Sequence, residues 1–277
     1  TATEPRMPEL PEVETTRRGI APCLEGTAIK KLIVRDRRLR WPVPRGLENR
    51  LADQQVLGLH RRAKYLLLET TGGTALIHLG MSGSLRVLPA ETPAKPHDHV
   101  DLCIDTGHML RLHDPRRFGI FLWTPDPPEA HRLIRHLGPE PLGDDFDGAH
   151  LYAASRGRRT PVKAFVMDSR LVVGVGNIYA NESLFQARIH PERACGRVSR
   201  ERYDRLAAAI RAVLARAIEQ GGTTLRNFVR EDGSPGYFAQ ELQVYGREGL
   251  ACPACGAALR QRRIGQRSSF FCSRCQR

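Results

Sequence analysis

Four cysteines close to the end of the chain fall into two pairs, Cys252-Pro-Ala-Cys255 and Cys272-Ser-Arg-Cys275, with sixteen residues between them. Two Cys-x-x-Cys knuckles at this separation offer four thiolates to one tetrahedral zinc ion, and a site closed by four sulfurs leaves no open position for a substrate. One structural Zn2+ is therefore expected. A redox pair is the main rival, but two pairs outside any βαβ pattern are not the usual setting of a thiol oxidoreductase. Some ~30 residues could hardly bury enough core to fold without the metal. The intervening segment would form a hairpin carrying Arg260, Arg262, Arg263 and Arg267, some of them at its tip. Cys23, Cys103 and Cys195 are read as ordinary small residues. An odd total of seven argues for a reducing compartment and against a disulfide framework.

Lys and Arg number 43 against 30 Asp and Glu, a formal net charge of +13. Arginines flank glycine loops and aromatics, which favours nucleic acid as the partner over a merely solvated basic surface. A hydrophobic content of 41% is enough for real cores, and 277 residues suit two domains, or one plus a module. No apolar run is long enough to span a bilayer and no charged-then-apolar signal segment opens the chain, so no membrane partner is expected.

Residues 27–123 read mostly as strands, with short apolar or alternating runs at Ile29–Val34, Tyr65–Thr70, 75–79, 100–104 and 109–112. Gly72-Gly73 and Thr106-Gly107 suit hairpin turns. Strands at this spacing suggest a sandwich or a barrel. Pro11 and the acids after it suit the first turn of a helix. Thr124-Pro125-Asp126-Pro127-Pro128 breaks the pattern, and helical signals follow. Thr160-Pro161 reads as an N-cap and a first-turn proline. Ser199 can cap a helix with Leu206, Ile210, Val213, Leu214 and Ile218 on its core face, stopped by Gly221-Gly222. Asp232-Gly233-Ser234-Pro235-Gly236 reads as a loop.

Several strings invite chemistry. In Met7-Pro8-Glu9-Leu10-Pro11-Glu12, removal of Met7 would leave Pro8 with a free secondary amine. Such an amine attacks an electrophilic sugar carbon to give an iminium, an electron sink that acidifies the neighbouring C–H, and Glu9 stands beside it as a proton shuttle. While residues 1–6 and Met7 remain attached, the Pro8 nitrogen is an amide and cannot be the nucleophile. Lys64, read by pattern alone, is an exposed strand charge. Met81 in a glycine loop and Phe118 after a turn read as core. Lys95-Pro96-His97-Asp98-His99 reads as a solvated loop rather than a metal site. Val172-Val173-Gly174-Val175-Gly176-Asn177-Ile178-Tyr179 lacks the third small residue of a dinucleotide fingerprint. It reads as a glycine turn opening a helix at Asn177, whose N-terminal N–H groups could hold a phosphate.

Taken in order from Met7 to the last cysteine, these strings resemble the formamidopyrimidine-DNA glycosylases, a family of base-excision repair enzymes. Leu79-Gly80-Met81-Ser82-Gly83-Ser84, Asp114-Pro115-Arg116-Arg117-Phe118-Gly119, Gly221-Gly222-Thr223-Thr224 and Gly236-Tyr237-Phe238-Ala239-Gln240 extend the match. The resemblance implies an α+β fold: an N-terminal β-sandwich with a helix, then a helical domain with a helix-two-turn-helix motif, ending in a zinc-finger hairpin. Residues 1–7 would be a leader or vector remnant, 8–124 the catalytic sandwich, 125–242 the helical domain with a lesion-recognition loop, and 243–277 the four-cysteine zinc finger. Damaged duplex DNA would lie across the cleft between domains.

The resemblance also assigns roles. Pro8 is the nucleophile, Glu9 its proton carrier, and Lys64 and Arg267 assist the first and second eliminations. Met81, Arg116 and Phe118 fill the hole left by the extruded nucleotide, while His97, Arg159, Lys163 and Asn177 contact DNA. The zinc ligands are Cys252, Cys255, Cys272 and Cys275. The activity implied is removal of oxidised purines followed by β,δ-elimination at the abasic site, by a monomer in the bacterial cytoplasm, associated with the nucleoid, and only once residues 1–6 are absent. Three alternatives stay open: a sibling endonuclease-VIII-like enzyme for oxidised pyrimidines, a lesion-binding protein without catalysis, and a non-enzymatic zinc-ribbon module.

Overall fold

The computed structural model describes residues 8–221 and 242–277. They pack as two units: residues up to Arg135 form one, and His136–Glu219 with the segment ending at Arg277 form the other. The expectations for residues 1–7, for the strings within 222–240 and for the loop around Asp232 lie outside the described residues.

The first unit is a pair of four-stranded antiparallel sheets with one long helix, α1 (Leu10–Leu24). One sheet runs in the order β1 (Ile29–Val34), β6 (Asp98–Ile104), β7 (His108–His113), β5 (Ser84–Pro89). The other runs β2 (Val56–Arg62), β3 (Tyr65–Thr70), β4 (Gly73–His78), β8 (Ile120–Thr124). A short helix, α2 (Leu47–Leu51), lies between β1 and β2. Strands β1 and β3 have the bounds the sequence predicts. Three strands it does not predict individually are β2, β5 and β8. The first carries Gly58, His60, Arg61 and Arg62, the second Arg86 and a terminal proline, so neither reads as an apolar run. Their pairing with predicted neighbours forms them: Leu59 opposite Leu68, Val87 opposite Leu110, Phe121 opposite Ile77.

Helix α1 starts where the sequence expects, with Pro11 in its first turn and Glu9 as N-cap; the Glu9 N–H donates to Glu12 Oε2 at 2.9 Å. It packs on β2, β3 and β5 through Leu10, Val13, Ile20 and Leu24, all buried, each worth roughly 1.5–3 kcal/mol. Charge fixes its rotation. Buried Glu14 accepts from Arg17, Arg18 and Arg61 Nε, the last at 3.0 Å from the end of β2. Arg17 Nη1 also donates to the Leu59 carbonyl, and Glu25 Oε1 accepts the Leu59 N–H.

The second unit is built on α5 (Asn177–Gln186), almost wholly buried, and the amphipathic α6 (Arg200–Glu219). Helix α6 buries Leu206, Ile210, Val213, Leu214 and Ile218, the face the sequence predicts, and Ser199 Oγ accepts from the Arg202 N–H at 3.4 Å. Shorter helices α3 (Gly148–Ser155) and α4 (Val162–Val166) complete it. Thr160 is not the cap of α4. Pro161 occupies that place with ψ 134°, and the Thr160 carbonyl accepts the Cys195 N–H at 2.9 Å. The chain closes with the hairpin of β9 (Arg260–Ile264) and β10 (Arg267–Phe271) between the two knuckles.

Burial pushes the Glu14 carboxyl up, but hydrogen bonds from Arg17 and Arg18 and the charges of Arg17 and Arg61 outweigh it and hold it at about 2. A lowered folded-state pKa gives stability that is present above the unfolded value, near 4.5, and lost as pH falls towards 2. Discounted for the partial exposure of Arg17 and Arg18, it is on the order of 2 kcal/mol. Urea unfolding should show Glu14→Gln destabilised at pH 7, with the gap to the parent chain closing between pH 4.5 and 2; a constant gap would refute the clamp.

Candidate active site and nucleic-acid interface

In the first unit the sequence-predicted residues sit at a helix entrance and on four turns. Pro8 and Glu9 lead into α1, Pro8 buried and Glu9 only 3% exposed. Lys64 is half-buried in the two-residue turn between β2 and β3, not an exposed strand charge as its local pattern suggests. Ala63 makes that turn possible with φ of 55°.

Lys64 leads into Tyr65, which pairs with His78 across β3 and β4, ring centroids 4.9 Å apart. Burial, then the charges of Lys64 and Arg40, push the His78 imidazole down to about 4. It is thus neutral near pH 7, and its Nδ1 accepts the Gly80 N–H at 2.9 Å, immediately before Met81.

The loops carrying Met81 and residues 116–118 touch through backbone. Gly80 has φ of +67°, and a Cβ there would stand 2.5 Å from the Phe118 carbonyl carbon, so only glycine permits the approach. Phe118 is 41% exposed, and the Arg116 guanidinium lies 5.1 Å from its ring centroid. Neither side chain is core: the Phe118 reading from local pattern fails because the turn at Arg117, φ 56°, throws the ring outward. His97 is exposed with φ of 75°, while His99 is buried and its Nε2 bonds to the Asp114 carbonyl at 2.8 Å.

Asp114, fully buried, holds these loops together, and the sequence reading missed it. Its Oδ2 accepts the Gly119 N–H at 2.7 Å and its Oδ1 the Ser82 hydroxyl at 3.3 Å. Its N–H donates to the His97 carbonyl. The only sequence signal was an acid heading the Asp-Pro-Arg-Arg-Phe-Gly string. Asp114→Ala, which strands two buried donors, should cost about 2–4 kcal/mol in urea unfolding. Asp114→Asn, which keeps an acceptor, should cost less, and an unchanged midpoint in both would remove Asp114 as the anchor.

In the second unit, Asn177 is the first residue of α5, with Gly176 as cap. The amide Oδ1 of Asn177 is buried and has no protein hydrogen-bond partner among the described residues, so this side chain is not the plain cap that the simpler reading expects. Arg159 shares a hollow of about 440 Å3 with Arg158 and Arg197, two cations the sequence reading did not single out. Their planar forks suit a phosphate. Lys163 is only 1% exposed, and its Nζ donates to Ser268 O at 2.8 Å and Ser269 Oγ at 2.7 Å. Asn181 Oδ1 accepts the Phe270 N–H at 2.8 Å. Lys163 and Asn181 thereby fix β10, whose first residue is Arg267, exposed beside the Gly265 turn. Glu182, also missed, is buried and accepts N–H bonds from Gln243, Val244 and Tyr245 at the entrance to the hairpin segment. Burial pushes its carboxyl up, opposed by those three donors.

The sulfur atoms of Cys252, Cys255, Cys272 and Cys275 all lie within 4.8 Å of one another, with pairs at 3.9 and 3.5 Å. A tetrahedral site with Zn–S near 2.3 Å needs sulfurs roughly 3.8 Å apart, so the four fit one structural zinc. His97 and His99 belong to no such group among the described residues. Chelation should open the hairpin to proteolysis within residues 260–263 and abolish DNA binding. Full DNA binding by metal-free protein would contradict a structural zinc.

Comparison with known proteins agrees with this geometry. Residues 7–121 match the formamidopyrimidine-DNA glycosylase N-terminal domain, 137–229 the formamidopyrimidine-DNA glycosylase H2TH domain, and 249–277 the zinc finger found in FPG and IleRS. These domains make the chain a zinc-finger DNA glycosylase of base-excision repair. A formamidopyrimidine-DNA glycosylase of Stenotrophomonas maltophilia (strain R551-3) is 60% identical over 271 residues, covering 98% of this chain and all of that one. The crystal structure of MutM (Fpg) from Thermus thermophilus superposes with a TM-score of 0.87 at 38% identity, covering 97% of this chain and 98% of its own. Lactococcus lactis Fpg in complex with DNA containing N7-benzyl-Fapy-dG gives 0.90 at 32%, covering 98% and 100%. The chain belongs to the formamidopyrimidine-DNA glycosylase family, and carries the glycosylase and abasic-site lyase activities of that family. Among the described residues no helix is long and apolar enough to cross a membrane.

Proposed function

We propose that the chain extrudes oxidised purines, 8-oxoguanine and formamidopyrimidines, from duplex DNA, excises them, and cuts the strand through a Pro8 iminium. The observation that carries this reading is the placement of Pro8 and Glu9 at the mouth of a buried, capped helix clamped to β2, the strand that leads to Lys64. With residues 1–7 removed, the Pro8 nitrogen is a secondary amine whose neutral form carries a free lone pair. Its lone pair attacks C1′ and the base departs with the glycosidic electron pair, taking up a proton. Loss of the nitrogen's proton and protonation of the ring oxygen, with Glu9 moving protons on the sugar, open the deoxyribose to the iminium. Loss of a C2′ proton then expels the 3′ phosphate, and a second elimination expels the 5′ phosphate. Hydrolysis returns the free amine.

The other residues serve this sequence by position. Lys64 assists the first elimination and Arg267 the second. Met81, Arg116 and Phe118 occupy the vacated stack, partly offsetting an unstacking cost of a few kcal/mol. His97, Arg159 and Asn177 hold the DNA, and Lys163, buried, supports that contact through the hairpin it anchors. The zinc thiolates only keep that hairpin folded. The working divisions are 8–124 for catalysis, 125–242 for the helical domain and 243–277 for the zinc finger. The protein acts as a cytoplasmic, nucleoid-associated monomer.

Borohydride trapping on an 8-oxoguanine duplex tests the chemistry. A chain beginning at Pro8 should be trapped covalently, and the chain that keeps residues 1–7 should bind without trapping. Equal trapping of both would overturn the mechanism. Pro8→Gly should keep some lyase activity through a primary amine, and Glu9→Gln should bind lesions yet fail to release the base. Preferential release of thymine glycol would move the substrate to oxidised pyrimidines.

A further inference from the structure

The second unit holds another cationic concavity, which the reaction above does not use. A basin of about 510 Å3 opens between the first turns of α6 and the zinc knuckles, lined by Arg188, Arg202, Arg205, Arg274 and Arg277. Arg202 and Arg205 stand three residues apart on α6 and so share a face. Arg188 follows α5 with φ of 55°, a left-handed turn that a non-glycine residue rarely adopts.

Bonds to backbone carbonyls build the floor. The Arg277 N–H donates to the Arg188 carbonyl, the His190 N–H donates to the Arg277 carbonyl, and Gln276 Nε2 donates to the Ile189 carbonyl. Arg202 Nη2 reaches the Arg188 and Arg277 carbonyls at 2.9 and 2.6 Å, joining α6 to both. The guanidiniums are thus gathered by a laced framework.

Among the described residues no carboxylate side chain lines the basin. Glu201 and Asp204, the acids next to Arg202 and Arg205 in sequence, lie on α6 outside that lining, Asp204 paired with Arg200 at 3.3 Å. One structural account is that the arginines balance the metal site, since Cys255 and Cys275 also line the basin. Zinc with four thiolates carries a net charge of minus two, so five arginines leave an excess of three, and a main-chain carboxylate at Arg277 would still leave two. Such an excess calls for an anion. Planar arginine forks match phosphate oxygens in pairs, and several around one hollow suit a polyphosphate backbone better than a single carboxylate.

Position sets this hollow apart from the lesion side. Arg267 stands at the turn end of the hairpin and the knuckles at the other. Five residues of β10 at ~3.3 Å each separate them by roughly 15 Å. We propose that the basin is a second nucleic-acid site, which grips the phosphate backbone of a DNA segment other than the one engaged at Arg267 and lets the protein bridge two segments. This needs only DNA binding, not the Pro8 chemistry.

Two undamaged duplexes, one labelled with a donor and one with an acceptor fluorophore, test it in low salt with the zinc-loaded full chain. The parent protein should bring them together. Combined Arg188→Glu, Arg205→Glu and Arg274→Glu should lower the transfer signal about tenfold, while affinity for one lesion-bearing duplex changes less than about twofold. The milder pair Arg188→Gln and Arg205→Gln leaves the knuckles untouched and should lower it in the same direction. Lys30→Glu, Lys31→Glu and Arg45→Glu, reversing three exposed cations of the first unit, control for net charge and should leave bridging intact. Absence of bridging by the parent, equal loss in the control, or a parallel loss of single-duplex affinity would each overturn the proposal. The last would assign the basin to the footprint of one duplex. Failure of borohydride trapping would leave this result untouched.

Discussion

Three carboxylates at the start of one helix are removed from water: Glu9, Glu12 and Glu14 are 3%, 0% and 8% exposed. A buried carboxylate without partners costs several kcal/mol, so α1 can lie only where donors are waiting. Glu12 takes the N–H of Glu9, and Glu14 takes Arg17, Arg18 and Arg61. Because Arg61 belongs to β2, the ion pairs set the helix on the sheet as well as neutralising it. The chain entering that helix is Pro8 and Glu9, and the turn after β2 carries Lys64. Electrostatic necessity at Glu14 therefore fixes both the proposed nucleophile and the proposed assisting cation against one strand.

The same logic recurs at Asp114. One buried carboxylate satisfies donors from the Met81 and Phe118 loops, and its backbone holds His97 and His99. The turns around the site are strained in a consistent way. Among the described residues, five non-glycine positions have positive φ, and three of them, Ala63, His97 and Arg117, lie at or beside residues assigned to catalysis or DNA. Left-handed backbone at bulky residues persists only where surrounding contacts over-determine it. At His97 and Arg117 the contacts are those of Asp114 and of the Gly80 approach to Phe118, and at Ala63 the carbonyl accepts from Arg61 Nη1 at 2.9 Å. The outcome is that Phe118 and Arg116, an aromatic ring and a guanidinium, face solvent stacked on each other instead of joining the core.

Much of this was legible in the chain. Cysteine spacing specified the metal module because coordination geometry tolerates few alternatives. The apolar face of α6 and the bounds of β1 and β3 followed from periodicity. The helix opening at Asn177 followed from its glycine turn. Less was legible where a residue's neighbours are remote in sequence. Strands β2 and β5 read as too polar because they are held by pairing with partners across the sheet. Lys64 looked like a strand charge because nothing local reveals the turn at Ala63. Lys163 was linked to phosphate by resemblance alone, and nothing local shows that its ammonium is bonded to Ser268 and Ser269, more than a hundred residues away. Asp114, Asn181 and Glu182 carried almost no signal, since an acid or amide that anchors loops looks like any other until its donors are known.

The sequence by itself determined the chemical capacities: an imino acid that could become a terminus, an acid beside it, four thiolates at ligand spacing, and a large surplus of guanidinium. Those are properties of residue type and short-range order, which covalent connectivity preserves in any conformation. Only the tertiary structure decided which carboxylates are dry, which cations neutralise them, and which remain for phosphate. That choice depends on solvent exclusion and on distances between segments far apart in the chain, and neither exists before the sheets and helices pack.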